Sequence, residues 1–237
     1  MSEFTINGRT ITEELEKLSG FGNKTFITSL HPGVPHVLGV RIPDLRTLAK
    51  RIVESDWEDY LSEAGTYYME ERILQGLVLG YIHPDDDVDK YLRRVSRFVQ
   101  VINSWSVCDT FSFAGGHSYI KKHQAKIWDY LKYCMNSSEE YEIRFGVVMA
   151  LKYFIDDQHV VELLKCVNEI YHEGYYVKMA IAWAVSVCFV KYPKETMFFL
   201  HDNRLDDFTF NKSLQKILES CRVGISSKQL IKTMRRK

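Results

Sequence analysis

The chain has 237 residues, of which 46% are hydrophobic, 13% aromatic and 26% charged; this composition can bury a sizeable core and excludes a disordered polymer. Lys+Arg and Asp+Glu both number 31, so no net charge draws the whole molecule to a polyanion; affinity for nucleic acid requires cations gathered on one face. The five cysteines are dispersed, odd in number and never paired as CxxC, which argues against a disulfide framework or a zinc site and points to a reducing cytoplasm.

In chain order, MSEFTINGRTITEELEKL has no basic stretch followed by an apolar one, so no signal peptide is expected. Pro32 and Pro35 share one loop, HPGVP. Pro43 sits where a proline belongs in the first turn of a helix, and Leu45, Leu48, Ala49, Ile52 and Val53 recur behind it at helical spacing. The segments MEERILQGLVLGYI, VDKYLRRVSRFVQVI, AKIWDYLKYCM, YEIRFGVVMALKYFI, HVVELLKCVNEIYH, VKMAIAWAVSVCFVKY and SLQKILESCRV all show the same three-to-four spacing. The acidic run Asp85 to Asp87, after Pro84, reads as a helix start that uses the macrodipole. Gly115-Gly116-His117 reads as a loop without phosphate-loop spacing. The apolar run Ala180 to Val190 is far short of the ~20 residues a membrane helix needs. LIKTMRRK is a basic segment that reads as a solvated helix end or, as the other reading, as a contact to nucleic acid. Neither period-two alternation nor an Asn-Gly or Asp-Gly hairpin is expected, and the predicted class is all-α, one domain over 1–237 with N-terminal helices in 1–38.

A repeat runs through these helices. A charged residue opens a very apolar helix at Arg72, Arg144, Lys178 and Lys212, and Asp109 fills the gap, at a period of roughly 34–36 residues. That period suits a solenoid of helix pairs, each with a partly polar outer helix and a buried inner one. Charges at one phase of such a repeat fall on one edge of a groove. The cations among them suit a phosphate backbone; equally, they cap or solvate helix ends. Asp109, one helical turn after Trp105 in INSWSVCDTF, stands where neighbouring repeats place a cation. As a carboxylate in an apolar segment it needs a partner: it reads as an N-cap, as a pair with Arg144, or as a functional anion. Trp105, and Trp183 in AIAWAVS, read as core or as ligand-facing aromatics.

GVRIPDLRTLAKRI (Gly39–Ile52), YYMEERILQGLVLGYI (Tyr67–Ile82), INSWSVCDTF (Ile102–Phe111), YEIRFGVVMALKYF (Tyr141–Phe154), YYVKMAIAWAVS (Tyr175–Ser186) and FNKSLQKILESCRV (Phe210–Val223) resemble, in order, the DNA alkylation repair family, the AlkD-type alkylpurine DNA glycosylases. The resemblance implies a right-handed superhelix of HEAT-like repeats and excision of N3- and N7-alkylated purines from duplex DNA, without a base pocket. It implies Trp105 and Asp109 as the catalytic pair, Trp183 as a second aromatic against the sugar, and Arg144 as a phosphate contact. Arg46, Lys152, Lys178 and Lys212 are the further candidate DNA contacts. No metal or organic cofactor is implied, and the expected partner is double-stranded DNA met by a monomer. The other functional class consistent with this sequence is a non-catalytic helical-repeat module that binds DNA structure or a protein.

Overall fold

The computed structural model describes residues 4–84 and 86–237, and these divide into two compact units, Met1–Gln124 and Ala125–Lys237. Asp85, the first residue of the acidic run, lies outside the described residues.

The first unit opens on a feature the periodicity misses. Strands β1 (Thr5–Ile6) and β2 (Arg9–Thr10) pair antiparallel across Asn7-Gly8, with φ of 53° and 72°. Two successive positive φ values are what a tight two-residue hairpin turn requires, and Asn-Gly supplies them at least cost. The expectation of no Asn-Gly hairpin is therefore corrected. Strands of two residues are too short to show an alternating pattern, although Phe4 and Ile6, two apart, are both buried.

Helix α1 (Ile11–Ser19) starts with a capping box between Thr10 and Glu13, and α2 (Lys24–Ser29) starts on the side chain of Asn23. After the HPGVP loop come α3 (Ile42–Val53), α4 (Trp57–Glu63), α5 (Met69–Tyr81), α6 (Val88–Val99), α7 (Trp105–Thr110) and α8 (Gly116–Lys122). The side chain of Asp87 accepts from the amides of Asp89 and Lys90, so the acidic run does begin a helix. Gly116, expected in a loop, instead opens α8 behind Gly115, whose φ is 68°.

The two kinds of helix differ in burial. In α6, Val88, Tyr91, Leu92, Val95, Phe98 and Val99 form one apolar stripe, and Arg93 and Arg97 face solvent. In α5, Ile73 to Leu79 are all buried, so the helix is covered on every side. It packs on α3, α6 and α7, which makes α3, α5 and α7 a row of neighbouring inner helices.

The second unit repeats this plan. It holds α9 (Gln124–Met135), α10 (Glu140–Tyr153), α11 (Val160–Glu169), α12 (Tyr175–Lys191), α13 (Pro193–His201), α14 (Asp207–Glu219) and α15 (Ile225–Thr233). Helix α12 packs on both α10 and α14, while α11 and α13 pack on each other outside them. Residues Ile143 to Leu151 of α10 are buried without a break. Gly146 permits this, because a Cβ there would lie 2.8 Å from the Leu131 carbonyl oxygen of α9. No helix among the described residues is long and apolar enough to cross a membrane.

Buried acids fasten the loops to the inner helices. Glu70, fully buried in the first turn of α5, accepts from the backbone amides of Leu38, Gly39 and Val40 at 3.0, 2.6 and 3.3 Å. Gly39 bends the chain into that carboxylate with φ of 89°. Glu71 accepts from the amides of Tyr67 and Tyr68 at 2.8 and 3.0 Å and from Thr12 Oγ1 at 3.3 Å.

Two outcomes follow. Glu70→Ala strands two buried amides and one part-buried amide at once, and urea unfolding should report a loss of about 3 kcal/mol. Burial pushes the Cys134 and Cys188 thiols up to about 12 and raises Cys166, while Cys221 is exposed. A thiol reagent at pH 8 should therefore titrate one fast cysteine in the folded chain, and a second fast thiol would contradict this burial pattern.

Candidate functional site

Helix α7 is only six residues long, and its start and stop are both local. Ser104 Oγ accepts from the Val107 amide at 3.3 Å, and Phe111 leaves the helix in an extended conformation. Ser106, Val107 and Cys108 are buried. Trp105 and Asp109 are half-exposed, and at a spacing of four they lie on the same face, where Cβ atoms stand ~5–6 Å apart. Asp109 is the fifth residue of α7, so the N-cap reading is corrected: that position belongs to Ser104. Its half-exposure also removes the premise that it is a core carboxylate.

Trp105 is held from two directions. Its indole Nε1 donates to the Leu30 carbonyl oxygen at 3.1 Å. Its ring stacks on His31 with centroids 4.9 Å apart and planes 5° from parallel. His31 is buried, and its Nδ1 lies 2.7 Å from the Ile27 carbonyl oxygen; because a carbonyl only accepts, Nδ1 carries the proton. The segment that supplies Leu30 and His31 runs on into Leu38–Val40, which Glu70 clamps. Helix α5 thus anchors both supports of Trp105, by packing on α7 and by holding the loop.

In the second unit, Trp183 lies midway along α12. Tyr176, Met179, Trp183, Val187 and Val190 are half-exposed at helical spacing, and they make the open stripe of a helix otherwise largely buried. Trp128 shows the contrast: it is buried, and its indole donates to Glu162 Oε2 at 2.8 Å.

The repeat-phase cations sit inside the first or second turn of their helices rather than at the opening residue. Several are engaged with backbone or acids one repeat further on. Arg72 Nη1 donates to the Val101 carbonyl oxygen at 2.6 Å, just before α7, and burial lowers its pKa. Arg144 is 6% exposed, and its Nη1 donates to the Tyr176 carbonyl oxygen at 3.0 Å. Lys178 Nζ donates to Glu173 Oε2 at 2.9 Å and lies 3.7 Å from Asp206, the N-cap of α14. The Glu173 hydrogen bond and the Asp206 charge raise its pKa above the usual lysine range, against a smaller lowering by burial. Lys212 Nζ donates to Gln215 Oε1 at 3.0 Å and lies 5.7 Å over the Phe208 ring. Lys152 is half-buried in the last turn of α10, and Arg46 is exposed on α3.

Three features were not singled out from the sequence. One is His31 beneath Trp105. Another is the clamp of Glu70. The third is an aromatic run in which Tyr141 stacks on Tyr176 at 5.7 Å and exposed Tyr175 meets Phe208 at 6.1 Å. The doubled tyrosines that open α12 were the available signal for the last.

A family model described as DNA alkylation repair enzyme matches residues 11–217. The match begins at Ile11 rather than near Gly39, so it takes in α1, α2 and the loop under Trp105, and it leaves α15 outside. No curated protein matches the chain. Since the matched stretch covers most of both units, the chain belongs to the DNA alkylation repair enzyme family.

Proposed function

We propose that the chain hydrolyses the N-glycosidic bond of cationic N3- and N7-alkylpurines in duplex DNA, and that Trp105 and Asp109 are its catalytic pair. The observation that carries this reading is their shared open face on α7, with the indole fixed by Leu30 and His31.

The chemistry asks little of the protein. An alkylated purine already carries a positive charge, so the C1′–N bond breaks with its electron pair going to the base, which leaves neutral. The positive charge moves to the sugar as an oxocarbenium ion. A carboxylate fixed nearby stabilises that charge as it forms, and a preset negative group needs no reorganisation to do so. In this reading Asp109 also orients the water that attacks C1′ and takes its proton. The face of Trp105 turned away from His31 adds attraction for positive charge and keeps bulk water off the sugar. Such a scheme needs no pocket for the departing base.

The second unit contributes Trp183 as a further aromatic and Arg144 as a DNA contact, roles the family resemblance supports; Lys178 and Lys212 join them by their phase in the repeat, with Lys152, and Arg46 of the first unit, as further cationic contacts. Arg144 and Lys178 already hold partners within the protein, so a phosphate would share them rather than find them open.

The test is single-turnover release of 7-methylguanine from duplex DNA. Asp109→Asn should slow it ~10²–10³-fold, the scale of losing one preorganised electrostatic group. Trp105→Ala should also slow it, with Trp105→Phe intermediate, and a neutral lesion such as 8-oxoguanine should not be released by any form. Equal release by wild type and Asp109→Asn would sink the assignment. No release by either, with binding of duplex DNA retained, would favour the non-catalytic binding module.

A further inference from the structure

Residues 218–237 lie beyond the family match, yet they complete a cavity of about 680 Å³ against α14. Its floor is apolar: Leu214 and Ile231 are both buried. Its walls carry Lys212, Lys232, Arg235 and Lys237, with Asp207 the one acidic side chain among the lining residues. Among the described residues, none of Lys232, Arg235 and Lys237 lies within ion-pair distance of an acid. This sets them apart from Arg144 and Lys178. The Asp207 carboxylate is turned to Arg236, 3.5 Å away.

The cationic wall is built, not frayed. Asn211 of α14 makes two bonds to the backbone of Arg236: its Nδ2 donates to the carbonyl oxygen, and its Oδ1 accepts from the amide, both at 3.0 Å. The Arg236 guanidinium lies 3.9 Å over the Phe210 ring and donates to Asn203 Oδ1 at 3.0 Å and to the Leu205 carbonyl oxygen. With residue 236 pinned, its neighbours Arg235 and Lys237 both line the cavity, and Arg236 does not. Phe208, 41% exposed, edges the same space and offers a flat apolar face.

Four cations gathered over an apolar floor repel one another, and a polyvalent anion relieves that repulsion. A ligand with several charges and a planar ring fits both halves of the lining. We propose that this cavity is a second binding site, for a nucleotide-type ligand whose phosphates meet Lys232, Arg235 and Lys237 while a base stacks on Phe208. The phosphates come either from a polynucleotide strand or from a free nucleotide. The site lies wholly in the second unit; it shares Lys212 with the DNA contacts proposed above, but its three other cations and Phe208 have no part in the excision chemistry proposed for α7.

The test uses the full chain and undamaged DNA, so its failure leaves the excision reading standing. Anisotropy of fluorescein-labelled single-stranded and duplex DNA is measured across a salt series, with calorimetric titration of ATP and of inorganic pyrophosphate in parallel. The variant combines Lys232→Gln, Arg235→Gln and Lys237→Gln; a melting curve confirms that it folds, since all three residues are exposed. If a strand is the source, the slope of log K against log salt becomes shallower by about 2–3. Phe208→Ala then weakens single-strand binding about tenfold with the slope unchanged. If DNA binding is unaltered but ATP binding disappears with the triple variant, the site stands and its source is a free nucleotide. If neither DNA nor ATP nor pyrophosphate binding responds, the proposal is overturned.

Discussion

The fold depends on buried and half-buried charge answered by backbone. Glu70 and Arg72 near the start of α5, and Glu140 and Arg144 near the start of α10, all reach main-chain groups far along the chain. Glu70 takes three amides of the 38–40 segment, and Arg72 gives to Val101. Glu140 takes the Tyr176 amide at 2.7 Å, and Arg144 gives to the Tyr176 carbonyl oxygen. A buried ion is costly alone, and so is an amide or carbonyl left open where a helix begins. Each removes the other's penalty only at one register. The gain is therefore less in stability than in the spacing of each inner helix against the next.

The candidate site inherits that register. Helix α7 has six residues, too few to hold a shape by its own hydrogen bonds. It is rigid because α5 lies beneath it, and because the loop fastened to Glu70 brings Leu30 and His31 under Trp105. An electrostatic mechanism of the kind proposed needs this more than it needs reactive groups. A carboxylate displaced by an ångström stabilises a developing charge less well, and no later step makes up the difference.

Long, strongly periodic helices were legible, and α3, α5, α6, α10 and α12 fall where their apolar spacing puts them. The hairpin at Asn7-Gly8 was not, because two-residue strands carry no period. Gly115-Gly116-His117 was read as a loop, although a glycine at positive φ is what turns the chain into α8. At the site, the Trp105 and Asp109 spacing was readable, but not that both face outward, since Val107 and Cys108 between them are core. The burial of Arg144 was hidden for a simpler reason. Charge is read as exposure, and a guanidinium that serves a neighbouring backbone leaves no mark in one sequence. The zero net charge hid the opposite case, since it averages over Lys232, Arg235 and Lys237, which stand together.

The parallel stack of His31 on Trp105 has an optical consequence. The Trp105 indole lies against an imidazole and the Trp128 indole against a carboxylate, so the two emit from different surroundings. The imidazole covers one face of the indole. Under the proposed function the other face meets the sugar, and the emission of that tryptophan then reports occupancy directly, without a label.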